Sequence, residues 1–198
     1  MILGKRPYKK NTDEQLIEWV QQADVSAFDE IYHRYSQRLL FYFFRMLGGD
    51  KEKAQDFLQD LFLKIIDKKN SPVQNVKAWI FTIAHNMCKN EYRNDKVRSL
   101  FDTSYDLDSF ADHSANPKNF PEKTLENNLF ETAINRALNE LNESQRSTFI
   151  LKFQEGLTVK EISQILDCSE GTIKSRLFNV TKKLAQKLKA FHLQKIEV

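Results

Sequence analysis

Thr172, Lys174, Ser175, Arg176 and Phe178 crowd into two turns of a helical pattern, and they bring hydroxyls, cations and a ring rather than a nucleophile with its base. The chemistry they suit is recognition. Base edges in a major groove need donors and acceptors on the N-terminal half of a helix, and phosphates need Lys, Arg, hydroxyls and backbone N–H groups. The surrounding stretch, "LTVKEISQILDCSEGTIKSRLFNVTKKL" (157–184), reads as two helices with a tight corner. Thr158 and Glu161 have the spacing of a capping box. Ile162, Ile165 and Leu166 then point inward, "DCS" makes the corner, and Ser169 is placed to cap the next helix. Ile173, Leu177, Val180, Leu184 and Leu188 form a single buried stripe. Left outside are Glu170, Asn179 and the five residues above, and Gly171 lets the backbone come near a phosphate.

A second constellation lies on "VKAWIFTIAHNMCKNEYRN". Thr82, His85, Asn86, Lys89, Asn90 and Arg93 recur along one side, beside the loop "KKNSPVQN" (68–75). Amides, bases and rings together suit unstacked single-stranded nucleic acid, whose bases stack on rings and are read at their Watson–Crick edges. No Ser/His/Asp constellation, phosphate-binding glycine loop or carboxylate cluster appears. Cys88 and Cys168 stand alone, without a histidine at ligand spacing. The expectation is therefore no catalytic residue, no metal, no cofactor and no enzyme.

The elements that carry these residues are read as helices. The 198 residues include only five Gly and four Pro, and long stretches have neither. Helical periods are predicted over 13–21, 26–47, 51–67, 77–96, 125–141 and 143–154, with Gly48-Gly49 ending the second. Phe57, Leu58, Leu61, Phe62, Ile65 and Ile66 form the apolar face of the third, and Phe149, Ile150 and Phe153 point inward from the last. The net charge of +3 hides an uneven distribution. From Lys174 onward seven Lys and Arg face Glu197 alone, whereas 101–131 is acidic, rich in Ser and Asn, and carries Pro117 and Pro121. The fold expected is all-α: two small helical domains joined by a flexible acidic linker, the C-terminal one a helix-turn-helix. The divisions are an N-terminal tail (1–12), a first unit (13–98), the linker (99–124), a second unit (125–190) and a C-terminal tail (191–198). "MILGKRPYKK" lacks the apolar region of a signal peptide, and "LLFYFF" (39–44) is too short to span a bilayer, so a soluble cytoplasmic protein is expected.

The blocks "AFDEIYHRYSQRLLFYFFRML", "DKEKAQDFLQDLFLKII", "AWIFTIAHN" and "LNELNESQRSTFILKFQEGLTVKEISQILDCSEGTIKSRL" stand in an order and spacing that resemble the extracytoplasmic-function (ECF) sigma factors. These are the minimal two-domain members of the sigma-70 family of bacterial RNA polymerase specificity subunits. The resemblance covers about Asp13 to Leu188. It implies that Asp56, Gln59 and Asp60 lie in the block that docks on core RNA polymerase, whose β and β′ subunits are the expected partners. It implies that Asn86, with Lys89, Arg93 and the loop residues Asn70, Ser71 and Asn75, serves the downstream (−10) element, where non-template bases are flipped and captured. It implies that Thr172, Lys174, Ser175, Arg176 and Phe178 face the upstream (−35) element. Duplex and single-stranded promoter DNA, and an anti-sigma factor of the kind often held in a membrane, follow as partners, with a monomer as the free state. Asn179 and Thr181 stand where the family often has arginines, so phosphate contacts are either fewer or supplied by Lys182 and Lys183. A helix-turn-helix regulator that does not replace a sigma factor is the competing reading. It accounts for the second unit equally well and leaves "AQDFLQD" and "IAHN" unexplained.

Overall fold

The computed structural model describes residues 8–68, 72–101 and 125–194, and every regular element among them is helical. The first helix, α1 (Asp13–Gln21), starts at a capping box in which Thr12 accepts from the Gln15 N–H and the Gln15 side chain accepts from the Thr12 N–H. The segment before it is docked rather than a loose tail. Tyr8 stacks edge-on against Trp19, and the Arg34 guanidinium donates to the carbonyls of Tyr8, Lys9 and Asn11. Asp24 caps α2 (Val25–Met46). That helix ends where Gly48 and Gly49 take φ of 74° and 96° and the Gly49 N–H reaches back to the Phe44 carbonyl, a geometry that favours glycine. Asp50 caps α3 (Lys51–Asp67). Asn75 caps α4 (Val76–Phe101), which runs five residues beyond the expected Lys96.

The second unit begins with α5 (Leu125–Asn139), followed by α6 (Glu143–Phe149) with Asn142 as its cap. α6 passes into a π turn at Ile150–Gln154. α7 (Val159–Ile165) and α8 (Glu170–Gln194) complete it, so α8 continues past the expected boundary at 190. The acidic stretch 102–124 lies outside the described residues.

The apolar stripes meet as their periods require. Ile31, Tyr35, Leu39, Tyr42, Phe43 and Met46 of α2 pack with Leu58, Leu61 and Ile65 of α3 and with Ile80, Phe81 and Ala84 of α4. The same buried cluster continues into Ile150, Leu151, Leu157, Ile162, Ile165 and Ile173, so the two units share one core. Among the described residues, Ala137, Leu138, Leu141, Val180 and Leu184 form a separate cluster.

Two expected core positions, Phe153 and Ile66, are exposed, and so is Tyr32. Phe153 is 56% exposed, because the i→i+5 spacing of the π turn shifts its side chain away from the face shared by Ile150. Ile66 and Tyr32 stand at the edge of the α2/α3 packing and are 43% and 45% exposed. Among the described residues, no helix is long and apolar enough to cross a membrane.

Candidate nucleic-acid interface

The α7–α8 corner has the anticipated construction. Thr158 accepts from the Glu161 N–H, and the Glu161 carboxylate accepts from the Thr158 N–H and hydroxyl. The Thr158 N–H, and after it the Asn75 amide, hold the Glu161 carboxyl below its ordinary range. Asp167 takes the left-handed turn (φ 48°), and the Cys168 N–H closes α7 onto the Ser163 carbonyl. Ser169 Oγ then accepts from the Thr172 N–H at 3.1 Å and caps α8.

The five α8 side chains split into two groups. Lys174, Ser175 and Phe178 are exposed, Phe178 by 68%. Thr172 and Arg176 are half-buried and held within the protein. The Thr172 hydroxyl lies 2.9 Å from Ser169 Oγ, and Arg176 Nη1 lies 3.6 Å from Cys168 Sγ.

On α4, Asn86, Lys89 and Arg93 are exposed at the spacing of one helical face, with Asn90 between them. His85 departs from expectation: it is 6% exposed, covered by Ser147 of α6. Its Nδ1 lies 3.3 Å from Ser147 Oγ, which in turn lies 3.2 Å from the Tyr42 hydroxyl. Burial, followed by the nearby charges of Lys89 and Arg176, lowers the His85 pKa to about 4. Asn75 is also engaged. Its carbonyl oxygen caps the Ala78 N–H at 2.9 Å, and its amide nitrogen donates to Glu161 at 2.9 Å. Asn70 and Ser71 lie outside the described residues. Beyond them, Pro72 and Val73 line a groove with Glu14, Gln15, Glu18 and Gln22 of α1 and the turn after it.

Asp56, Gln59 and Asp60 are exposed together on α3. Beside them stand Leu63 (58% exposed) and Ile66, with Tyr32 of α2 near α3 through its contact with the Phe62 ring. Acids flanked by exposed apolar groups suit a protein partner more than an anionic polymer. The exposed leucine was the signal to find here, and it was hidden because Leu63 breaks the helical period without a nearby turn.

The contacts between the units are the part that sequence reasoning missed. The Arg38 guanidinium grips one carboxylate oxygen of Glu155 through Nε (2.9 Å) and Nη2 (2.6 Å), and that carboxylate is 1% exposed. Burial raises the Glu155 pKa against the opposing pull of Arg38 and Lys77. Lys77 donates to the Glu155 carbonyl, and Arg45 donates to Gln154 at 2.7 Å. Arg146, 7% exposed, donates to the carbonyls of Leu138, Asn139 and Leu141 at the end of α5. It also donates to those of Arg45 and Met46 at the end of α2, and to the Tyr92 hydroxyl. One cation thus serves two helix C-termini, where carbonyls lack partners and the dipole is negative.

Comparison with known proteins adds to this geometry. Residues 31–98 match the pattern of sigma-70 region 2, and residues 131–184 match that of sigma-70 region 4. The chain is 28% identical over 181 residues to the RNA polymerase sigma-H factor of Pseudomonas aeruginosa, covering 89% of this chain and 93% of that one. It is 26% identical to the ECF RNA polymerase sigma-E factor of Escherichia coli K12, covering 89% and 94%. Among solved structures it resembles the sigma factor RpoE of Bartonella quintana in complex with the anti-sigma factor NepR, with a TM-score of 0.66, 26% identity, and coverage of 82% of this chain and 96% of that one. It shares its fold with CnrH, solved with the cytosolic domain of CnrY, at a TM-score of 0.64 and 20% identity, covering 91% and 99%.

Proposed function

The chain belongs to the sigma-70 family of RNA polymerase sigma factors, in its ECF group, and from that premise we propose how it works. Core RNA polymerase docks on the exposed acids Asp56 and Asp60, with Gln59 between them, and on the adjoining Leu63 and Ile66. The α8 face of Lys174, Ser175 and Phe178, with Arg176, reads the upstream element as duplex in the major groove. The α4 face of Asn86, Lys89 and Arg93 takes unpaired bases of the downstream element, and their capture offsets an unstacking cost of a few kcal/mol per base. The loop at Asn75 borders the same site. The work is binding energy, with no bond made or broken by this chain.

The observation that carries this reading is the pairing of two exposed polar helix faces, one on each region, in a chain that also exposes an acidic and apolar docking face. The similar sigma factor solved with the anti-sigma factor NepR supports an anti-sigma factor as a further partner. A monomer acting in the cytoplasm completes the proposal.

Transcription in vitro with core polymerase from the same organism tests it, run beside a gel shift of the protein alone. Transcripts that require the protein, with weak binding in its absence of core, are expected. Asn86→Ala should reduce melting, and Lys174→Ala with Arg176→Ala should reduce upstream recognition. Tight sequence-specific binding without polymerase, and no transcripts with it, would move the assignment to a helix-turn-helix regulator.

A further inference from the structure

We propose that the C-terminal half of α8, through Lys182 and Lys189, grips backbone phosphates of the duplex that flanks the upstream element. The inference rests on the reading of α8 as a groove-binding helix and extends it to a stretch of that helix with no role so far.

α8 has 25 residues and is roughly 37 Å long. Its reading residues, Lys174 to Phe178, lie in the first half. Val180 and Leu184 pack against Ala137 and Leu138 of α5 and fix the second half as a continuation of the first. At about 100° per residue, Lys174, Phe178, Lys182 and Lys189 fall within about 80° of one another round the helix. All four are exposed. The face that enters the groove is thus continued by a face that carries cations. The other two lysines of this half look elsewhere. Lys183 stands roughly 100° round from Lys182, and Lys187 is ion-paired with Glu140.

A major groove is about 12 Å wide and winds round the duplex, and a helix does not follow that winding. A long helix whose first turns lie in the groove therefore leaves it over one of its phosphate walls. Lys182 is about 12 Å beyond Lys174, and Lys189 is about 10 Å further. The first step leads from the base edges to the wall of the groove, and the second to the backbone beyond it. The side chains between suit an ionic contact. From Asn179 to Lys189 there are four lysines and no acid, so no carboxylate on this stretch competes with phosphate. The Thr181 hydroxyl donates to the Leu177 and Phe178 carbonyls and leaves the contact to the lysines. Ala185 and Gln186 are what else lies exposed between Lys182 and Lys189 on this face. Lysines without an aromatic or large apolar neighbour fit a sequence-independent grip on phosphate better than a protein interface, which prefers an apolar centre and is poor in lysine.

The test uses the full chain bound to core polymerase and a promoter fragment that this holoenzyme transcribes. Affinity is measured between about 50 and 200 mM salt. Lys182→Gln and Lys189→Gln should each lower the slope of log affinity against log salt by about 0.9, and weaken binding equally on fragments with an altered upstream element. Lys182→Arg should keep the slope, and Lys183→Gln should leave it unchanged. Uncharged methylphosphonate linkages, placed one at a time on either flank of the element, locate the contact. At the gripped phosphate they should weaken the wild type and add nothing to the loss in the matching variant. An equal loss of slope in Lys183→Gln would show a diffuse field of charge and overturn the proposal. Unchanged slopes in Lys182→Gln and Lys189→Gln would also overturn it, and a weaker hold on core polymerase in those variants would then make the face a protein contact. If the wild type forms a specific promoter complex while the variants match it, the proposal alone falls. If no form of the protein gives such a complex, the sigma reading falls and takes the proposal with it.

Discussion

His85 offers a direct check on how tightly the units close. Its imidazole is 6% exposed between α4 and Ser147 of region 4, and its pKa is lowered from 6.5 to about 4, first by burial and then by Lys89 and Arg176. The unfolded chain binds this proton near pH 6.5 and the folded chain resists it until about pH 4. Stability supplied by the neutral ring is therefore complete above pH 6.5 and is lost as pH falls through that window. Between pH 7.5 and 5.5 the loss is about 1.3 kcal/mol, at 1.36 kcal/mol per pKa unit. Glu155 and Glu143 have raised pKa values and act in the opposite sense, gaining stability as pH falls, and His85→Gln, which leaves both in place, isolates the imidazole's share. Urea unfolding at the two pH values should show the loss in the wild type, and His85→Gln should remove it. NMR titration, with the His85 resonance assigned from the same variant, reads the pKa directly. A His85 resonance titrating near 6.5, or a pH dependence unchanged in His85→Gln, would refute the reasoning and place the ring in water.

Three further outcomes follow from contacts elsewhere. Arg146→Met should destabilise the chain by about 3 kcal/mol in urea unfolding, because it strips a charged donor from carbonyls at two helix ends; Arg146→Lys should recover little, since an ammonium cannot reproduce the fork. Thr158→Ala should cost about 1 kcal/mol by opening the capping box, measured the same way. Cys88 should resist a thiol reagent until unfolding, since burial raises its pKa far above the ordinary thiol range, whereas half-buried Cys168 should react in the native protein.

Much of the fold was legible because its signals are local. Periodicity located α1 and α3, both capping residues of the helix-turn-helix follow from side-chain spacing, and the paired glycines mark the end of α2. What was hidden depends on packing between distant segments. His85 shares a helix with exposed Asn86 and Lys89, and only the approach of Ser147 decides which way its face looks. Arg146, in "NESQRSTF", reads as an ordinary surface charge, because nothing local announces that two helix ends converge on it. Phe153 follows the α-helical period on paper and leaves it through a π turn, a change of one residue in hydrogen-bond spacing that composition does not encode. The candidate site shows the same division. Its exposed members were found by elimination from the buried stripe, whereas the internal bonds of Thr172, Arg176 and Asn75 required coordinates.

The charge distribution also fits the proposed function, in which the α4 and α8 faces read DNA only with a third party. The α8 face offers Lys174 and a tethered Arg176, and the α4 face offers Lys89 and Arg93. Each phosphate neutralised contributes to affinity through released counterions, and a protein with so few such contacts per face gains little from either one. Joining the faces by a long chain would help only if both could be engaged at once, because effective concentration falls when the span is wrong. In the proposed function, core polymerase bound at the α3 face supplies a further set of contacts, which joins two weak engagements into one multivalent complex. A modest net charge of +3 is then a property of the design rather than a deficit, since stronger basic faces would bind DNA without polymerase and lose the dependence on it.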